Sequence, residues 1–299
     1  MTSRKVQQDV QAHAKSRRSD YGSYKVTNRD WDGFRFVAEM KFVRFDTLAE
    51  YWAPGFEPAN DESHTLADHD EWPRHHGGKR TDMPWPTVNR KRLSAVAQVV
   101  NRWERKMGFA ETWQPFASQP KWVRITGEGL WELGLPWDEI PFPERERLRH
   151  DAEHNSHIHR INQVRLSLAR GDVEVPSHRW ISERQIEANL PLKEPGVTLP
   201  HKPDGYLELE EEGAWELKLG DGSIERIPLL RESRIGVEVE LSRKSYERLG
   251  THVLPNLLKH YDFVWYFCLQ EAYDAVVAAR RDYIQTNEER KRIRILLLK

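Results

Sequence analysis

The chain is predicted to be an α/β protein, α+β overall, with an N-terminal helical unit closed by a short hairpin and a C-terminal mixed sheet between helices. Three observations predict this. Apolar residues recur at helical spacing through much of the first third. After residue 200, short β-branched runs alternate with helical runs, the pattern of a sheet covered on both faces. Between the two lies a proline-rich break, LPWDEIPFPERER, holding Pro136, Pro141 and Pro143. The organisation read from this is a basic tail over 1–28, a first unit over 29–140 with an insertion at 53–86, and a second unit over 144–299.

The totals suit two units of ordinary size. The chain has 299 residues, 38% hydrophobic and 31% charged. No run approaches the roughly 20 apolar residues of a membrane span. The first twenty residues lack the apolar core of a signal peptide. The single Cys268 forbids an internal disulfide framework and fits a reducing cytoplasm. Net charge is −1, so the molecule is not a general polyanion binder. The tail is nevertheless basic: Arg4, Lys5, Lys15, Arg17 and Arg18 face one acid, Asp9. Such an arm can hold phosphates or be a solvated tail. Most of the twelve Trp are expected in cores.

The first helix is read over Asp30–Met40, with Asp30 as N-cap. Asp46 is expected to cap a short second helix whose apolar face is Leu48, Ala49 and Trp52. Residues 53–86 are rich in Pro, Gly, Asp and His, as in a surface insertion. His64, His69, His75 and His76 match no zinc spacing and have no Cys partner. Thr87 then caps a helix carrying Val88, Leu93, Val96, Val99, Val100 and Trp103 on one face, stopped by Gly108. Arg90, Lys91, Arg92 and Arg102 are read as exposed around that face, available to phosphates and base edges. A strand, a turn, a strand ending near Ile125 and a short helix from Thr126 follow, with Lys121 and Arg124 on the hairpin. Helix, short helix, longer helix and hairpin make the winged-helix order. That order suits double-stranded DNA, although winged helices also bind proteins.

The second unit opens with an amphipathic helix through HDAEHNSHIHRINQVRLSLARG, ended by Gly171. SHRWISERQI is read as a first strand or a strand-to-turn segment, and strands are read at YLELE, WELKL, IERIPL, RIGVEVELS, FVWYFCL and RIRILLL. Helices are read at YERLGTHVLPNLLKHY and EAYDAVVAARRDYIQ.

Three acids stand out. Asp204, in HKPDGYL, sits where a loop enters a strand. Glu238 and Glu240, in GVEVELS, share one face because strand side chains alternate. Buried carboxylates are costly unless paired or bound to metal. Converging, they would form an oxygen-rich site for Mg²⁺ or Mn²⁺, which would lower the pKa of a bound water and offset charge on a phosphate. Lys244 is near enough in sequence to add a positive charge. The alternatives are a solvated edge strand and an ordinary Pro-Asp-Gly turn.

On HNSHIHRINQVRLSL, WISERQI, HKPDGYL and VEVELSRKSYERL followed by FVWYF, the chain resembles the bacterial plasmid-associated replication-relaxation family, from about Asp30 to Lys299. The resemblance implies a winged helix joined to a domain similar to PD-(D/E)XK nucleases. It places the metal on Asp204 and Glu238, with Glu153 as the helix acid that often joins them. Glu240 occupies the position of the motif's lysine, a departure some restriction endonucleases share. Lys244, or Lys218 in Glu216-Leu217-Lys218, is then the substitute charge. Ser182-Glu183-Arg184 is either a further site element or a strand end. His150, His154, His157 and His159 share the preceding helix, but zinc would need a further partner. No Gly-x-Ser-x-Gly elbow and no phosphate-cradling glycine loop occurs, which argues against a serine hydrolase and an ATPase. The expected activity is DNA cleavage, alternatively non-catalytic DNA binding in replication control; a homodimer or a protein partner is left open.

Overall fold

The computed structural model describes residues 26–53, 90–115, 119–132, 134, 152–189, 201–218 and 223–298; the side chains of 90, 91, 152–154 and 218 fall outside it. The basic tail, the bulk of the 53–86 insertion with its four histidines, Thr87, Val88, the proline-rich break and His150 therefore lie outside the described residues. Within these bounds the chain is mixed α/β with a mixed central sheet.

Helix α1 spans Asn28–Glu39. Its N-cap is Thr27, and Asp30 sits at the third helical position, completing a reciprocal capping box. The expected Asp30 cap is thus three residues too late, because the Thr–Asp pair satisfies two backbone donors where Asp30 alone satisfies one. Strand β1 (Val43–Arg44) leads into α2 (Phe45–Tyr51). Asp46 lies inside the first turn of α2 and does not cap it. Its carboxylate instead accepts from the Thr47 amide at 2.9 Å and pairs with Arg44. Leu48, Ala49 and Trp52 are buried as expected.

Helix α3 (Arg90–Arg102) runs into a wide π turn, Trp103–Met107, and stops at left-handed Gly108. The hairpin β2 (Ala110–Trp113) and β3 (Trp122–Ile125) follows, then α4 (Gly127–Glu132). Strand β3 lies antiparallel between β1 and β2. Gly33 in α1 lets the unit close: a Cβ there would stand 2.4 Å from the Trp52 ring and 2.7 Å from that of Trp103.

Helix α5 (Ala152–Ala169) opens the second unit. Then come β4 (His178–Ser182), α6 (Glu183–Asn189), β5 (Gly205–Leu209), a separate hairpin of β6 (Gly213–Lys218) and β7 (Ile224–Leu229), and β8 (Arg234–Glu240). The short α7 (Tyr246–Arg248) passes through a π turn into α8 (Leu254–His260). Strand β9 (Phe263–Cys268), α9 (Gln270–Tyr283), α10 (Asn287–Lys291) and β10 (Ile293–Leu297) complete the order. The sheet runs β10-β9-β8-β5-β4. Its β8–β9 and β9–β10 pairs are parallel, and β5 is antiparallel to both β4 and β8.

Alternation along the parallel strands divides the core. Val237, Val239, Trp265 and Phe267 face one side; Val264, Tyr266 and Cys268 face the other, packing with Leu254 and Leu257 of α8 and Val276 of α9. The first side is continuous with the N-terminal unit through Ile161, Val164 and Leu168 of α5. Each large buried side chain contributes about 1.5–3 kcal/mol. Polar bonds fix the angle of this junction: Asn162 donates to the Phe42 carbonyl at 2.8 Å and Arg184 to the Ala38 carbonyl at 2.6 Å. Arg165 pairs with Glu39, and Arg170 with Glu50.

Candidate acidic site

Asp204 enters at the head of β5, level with the C-terminal half of β8 because the two strands run antiparallel. Its Oδ2 accepts the Val239 amide at 2.7 Å. Gly205 makes room for this strand entry: a Cβ there would come within 2.4 Å of the Trp180 ring. Glu238 and Glu240 flank Val239 on the opposite face, both 4% exposed. Asp204, Glu238 and Glu240 thus lie at one end of the sheet.

The charges that surround them come from three elements. His157, on α5, reaches over the strand end. Its Nε2–H donates to the Val239 carbonyl at 2.9 Å and lies 3.4 Å from Asp204 Oδ2. Burial disfavours the imidazolium, but Asp204 and the carbonyl outweigh it and raise the His157 pKa to about 9. His201 Nε2 stands 3.0 Å from Glu238 Oε1. The His201 amide donates to Asn256 Oδ1 of α8 at 2.7 Å, which ties the segment before Asp204 in place. Burial, with the Asp204 charge, pushes Glu238 up to about 7 against the opposing pull of His201. Lys244 forms an ion pair with Glu240 at 2.5 Å. Burial alone would lower its ammonium pKa, but Glu240, Glu238 and Asp204 raise it.

The sequence points to the histidine face of this helix as meeting nucleic acid or the carboxylate site, and the structure brings His157 to the acids. His157 is 47 residues from Asp204, and nothing local says which helical histidine turns inward. His201 precedes Asp204 by three residues in HKPD, and that proximity is a signal that could have found it. Glu153 stands in the first turn of α5, but its side chain lies outside the described residues. Among the described residues no three His, Cys, Asp or Glu side chains are arranged to hold a metal ion. Asp204 and Glu238 are hard oxygen donors of the right chemistry for Mg²⁺ or Mn²⁺. Burial, more than the charge of Asp204, is what raises the Glu238 pKa. By donor chemistry alone the two acids suit a divalent cation, and a complete shell would need further ligands.

The other candidates are placed as follows. Ser182 caps α6 through reciprocal bonds with Gln185. Glu183 pairs with Lys41 and Lys202, and Arg184 reaches α1. These three are thus a strand end that braces the unit junction. His159 is buried, 3.2 Å from Thr47 Oγ1 and edge-on to Trp122, and burial holds its pKa well below the ordinary value. Lys218 closes the β6–β7 hairpin opposite Ile224, its side chain outside the described residues.

On the N-terminal unit the expectation of a freely exposed basic face needs correction at two positions. Arg92 is 4% exposed, and burial lowers its pKa. Arg102 is bound to the fully buried Asp30. Arg92 is buried, and Arg102 is tied to α1 through Asp30, so neither is a freely exposed cation. Arg105, Lys106 and Lys121 are exposed, and Arg124 pairs across the hairpin with Glu111 at 2.5 Å. The side chains of Arg90 and Lys91 lie outside the described residues. No helix among the described residues is long and apolar enough to cross a membrane. No family model, no curated protein and no solved structure matches this chain.

Proposed function

We propose that this chain is a DNA-binding, metal-dependent endonuclease of the replication-relaxation type, a winged helix carrying a PD-(D/E)XK-like domain. One observation carries the reading: the Asp204 carboxylate is bonded to the Val239 amide beside Glu238, at one end of a helix-flanked mixed sheet. The element order α5-β4-β5-β8-α8-β9 supports it, with the acids at the head of the second strand and near the end of the third. The order α1-β1-α2-α3-β2-β3, with β1 added to the hairpin, supports a winged helix.

In this reading Asp204 and Glu238, with Glu153, would hold Mg²⁺ or Mn²⁺. The cation would supply a water of lowered pKa and offset charge on the scissile phosphate. The chain's own residues do the rest. His157 and the Val239 amide orient Asp204. His201 orients Glu238. Lys244, steadied by Glu240, brings positive charge toward the phosphate as negative charge develops there. Lys121 and Arg124, with Arg90 and Lys91, would contact the backbone of double-stranded DNA.

The test is nicking of supercoiled plasmid with Mn²⁺ by the wild type and by Asp204→Ala, with DNA binding measured on the same samples. Loss of nicking with binding intact is expected; a mutant that still nicks would refute the site. A second reading, non-catalytic DNA binding in replication control, is favoured by Glu240 in the lysine position and by its ion pair with Lys244, which restrains that cation. It predicts no nicking by the wild type and unchanged DNA affinity on losing Asp204.

A further inference from the structure

Tyr266 is completely buried, and its hydroxyl has no hydrogen-bond partner among the described residues. It lies on β9 directly opposite Glu238 of β8, in a parallel pair, so the two side chains leave the sheet on the same face. Cys268 lies opposite Glu240 in the same way. The thiol is a weak donor, and burial pushes it up to about 12, so it stays protonated and takes no part. Of the side chains paired across from the two acids, only Tyr266 offers a strong neutral donor. After burial, the charges that act most on it are those of Glu238 and then Glu240.

We propose that the Tyr266 hydroxyl, without a partner among the described residues, is a positioning group of the acidic site that hydrogen-bonds a water molecule held against Glu238 and Glu240. The inference rests on the reading of this cluster as a catalytic site and adds a residue to it. A buried hydroxyl with nothing to bond costs stability. Phenylalanine would fill the same space among Leu254, Leu257 and Val276 at no such cost, and the same strand uses it at Phe263 and Phe267. A tyrosine at the β9 position paired with Glu238 is explained by a polar occupant between them. A buried water requires two to four polar partners, and the hydroxyl with the two carboxylates supplies them. Such a water is placed to deliver or receive a proton at Glu238, or to complete the shell of a cation there.

The experiment pairs a high-resolution crystal structure of the full chain with melting and plasmid nicking of Tyr266→Phe. Expected are a water or ion bonded to the Tyr266 hydroxyl and to a Glu238 or Glu240 oxygen, a folded variant in which that occupant is lost or displaced and the melting temperature falls by no more than a few degrees, and nicking reduced at least tenfold. A hydroxyl bonded to a protein group instead, or undiminished nicking by Tyr266→Phe, would each overturn the inference. Should the wild type itself not nick DNA, the nuclease reading fails, and the bound occupant still decides the role of Tyr266.

Discussion

Asp30 in the N-terminal unit and Glu238 in the central sheet are both buried carboxylates, treated in opposite ways. Asp30, fully buried, accepts from the Thr27 amide and hydroxyl at 2.8 Å each, from Trp103 Nε1 at 2.7 Å, and from Arg102. Its lone pairs are filled by groups that hold α1 against α3. Glu238 has a single side-chain partner among the described residues, His201, and a second acid beside it. A filled carboxylate is a rivet. An underfilled one, kept at a cost to stability, is what the proposed function would need at this position.

The largest effect expected from this contrast is at the rivet. Asp30→Ala strands Arg102 and the Trp103 indole, and should cost about 3–5 kcal/mol, as for other broken buried pairs. Chemical denaturation measures it; a loss under about 1 kcal/mol would mean that Asp30 is not the keystone of the unit. The converse is expected of Glu238→Gln. With a folded pKa of about 7 against an ordinary 4.5, the charged form is disfavoured by folding. The penalty is absent below about 4.5, grows as pH rises toward 7 and is complete above it. The neutral variant should thus gain roughly 1–3 kcal/mol at pH 8 while losing nicking. A Glu238→Gln protein less stable than the wild type at pH 8 would reverse the comparison.

His157 sharpens it further. Its pKa is raised from 6.5 to about 9, so its contribution is full below 6.5 and lost as pH rises through 9. Stability of the wild type should decline from pH 5 to pH 9. Glu238→Gln should remove the acid half of that decline, and His157→Gln the alkaline half. A flat profile in the wild type would exclude both groups as its source. The smallest effect belongs to Arg124, whose pair with Glu111 is half open to solvent. Arg124→Ala should change stability by less than about 1 kcal/mol, whereas Lys121→Ala should lower the salt dependence of DNA binding by about one ion. An unchanged salt slope would remove the hairpin from the DNA interface.

Much of the acid cluster is legible in the sequence. Period-two alternation put Glu238 and Glu240 on one face, the Pro-Asp-Gly turn put Asp204 at a strand entry, and the four-residue spacing put Lys244 within reach of Glu240. The histidines were less legible, because a pairing such as His157 with Asp204 is set by where α5 crosses the sheet. Arg92 and Arg102 of α3 depart from the expected exposed basic face. Helical period ranks faces by hydrophobicity, and at Arg102 a buried aspartate on another helix breaks that ranking.

The sequence by itself determined most of the strands and helices, their order and the position of the acids along their strands, though not that Glu183–Asn189 turns from strand into helix α6. Each of these depends on residues within a few positions of one another. The tertiary structure alone decided that α5 joins both units into one core, that His157 and His201 guard the acids, and that Tyr266 faces Glu238 across a parallel pair. Those contacts join residues distant in the chain, and local periodicity carries no information about which distant faces meet.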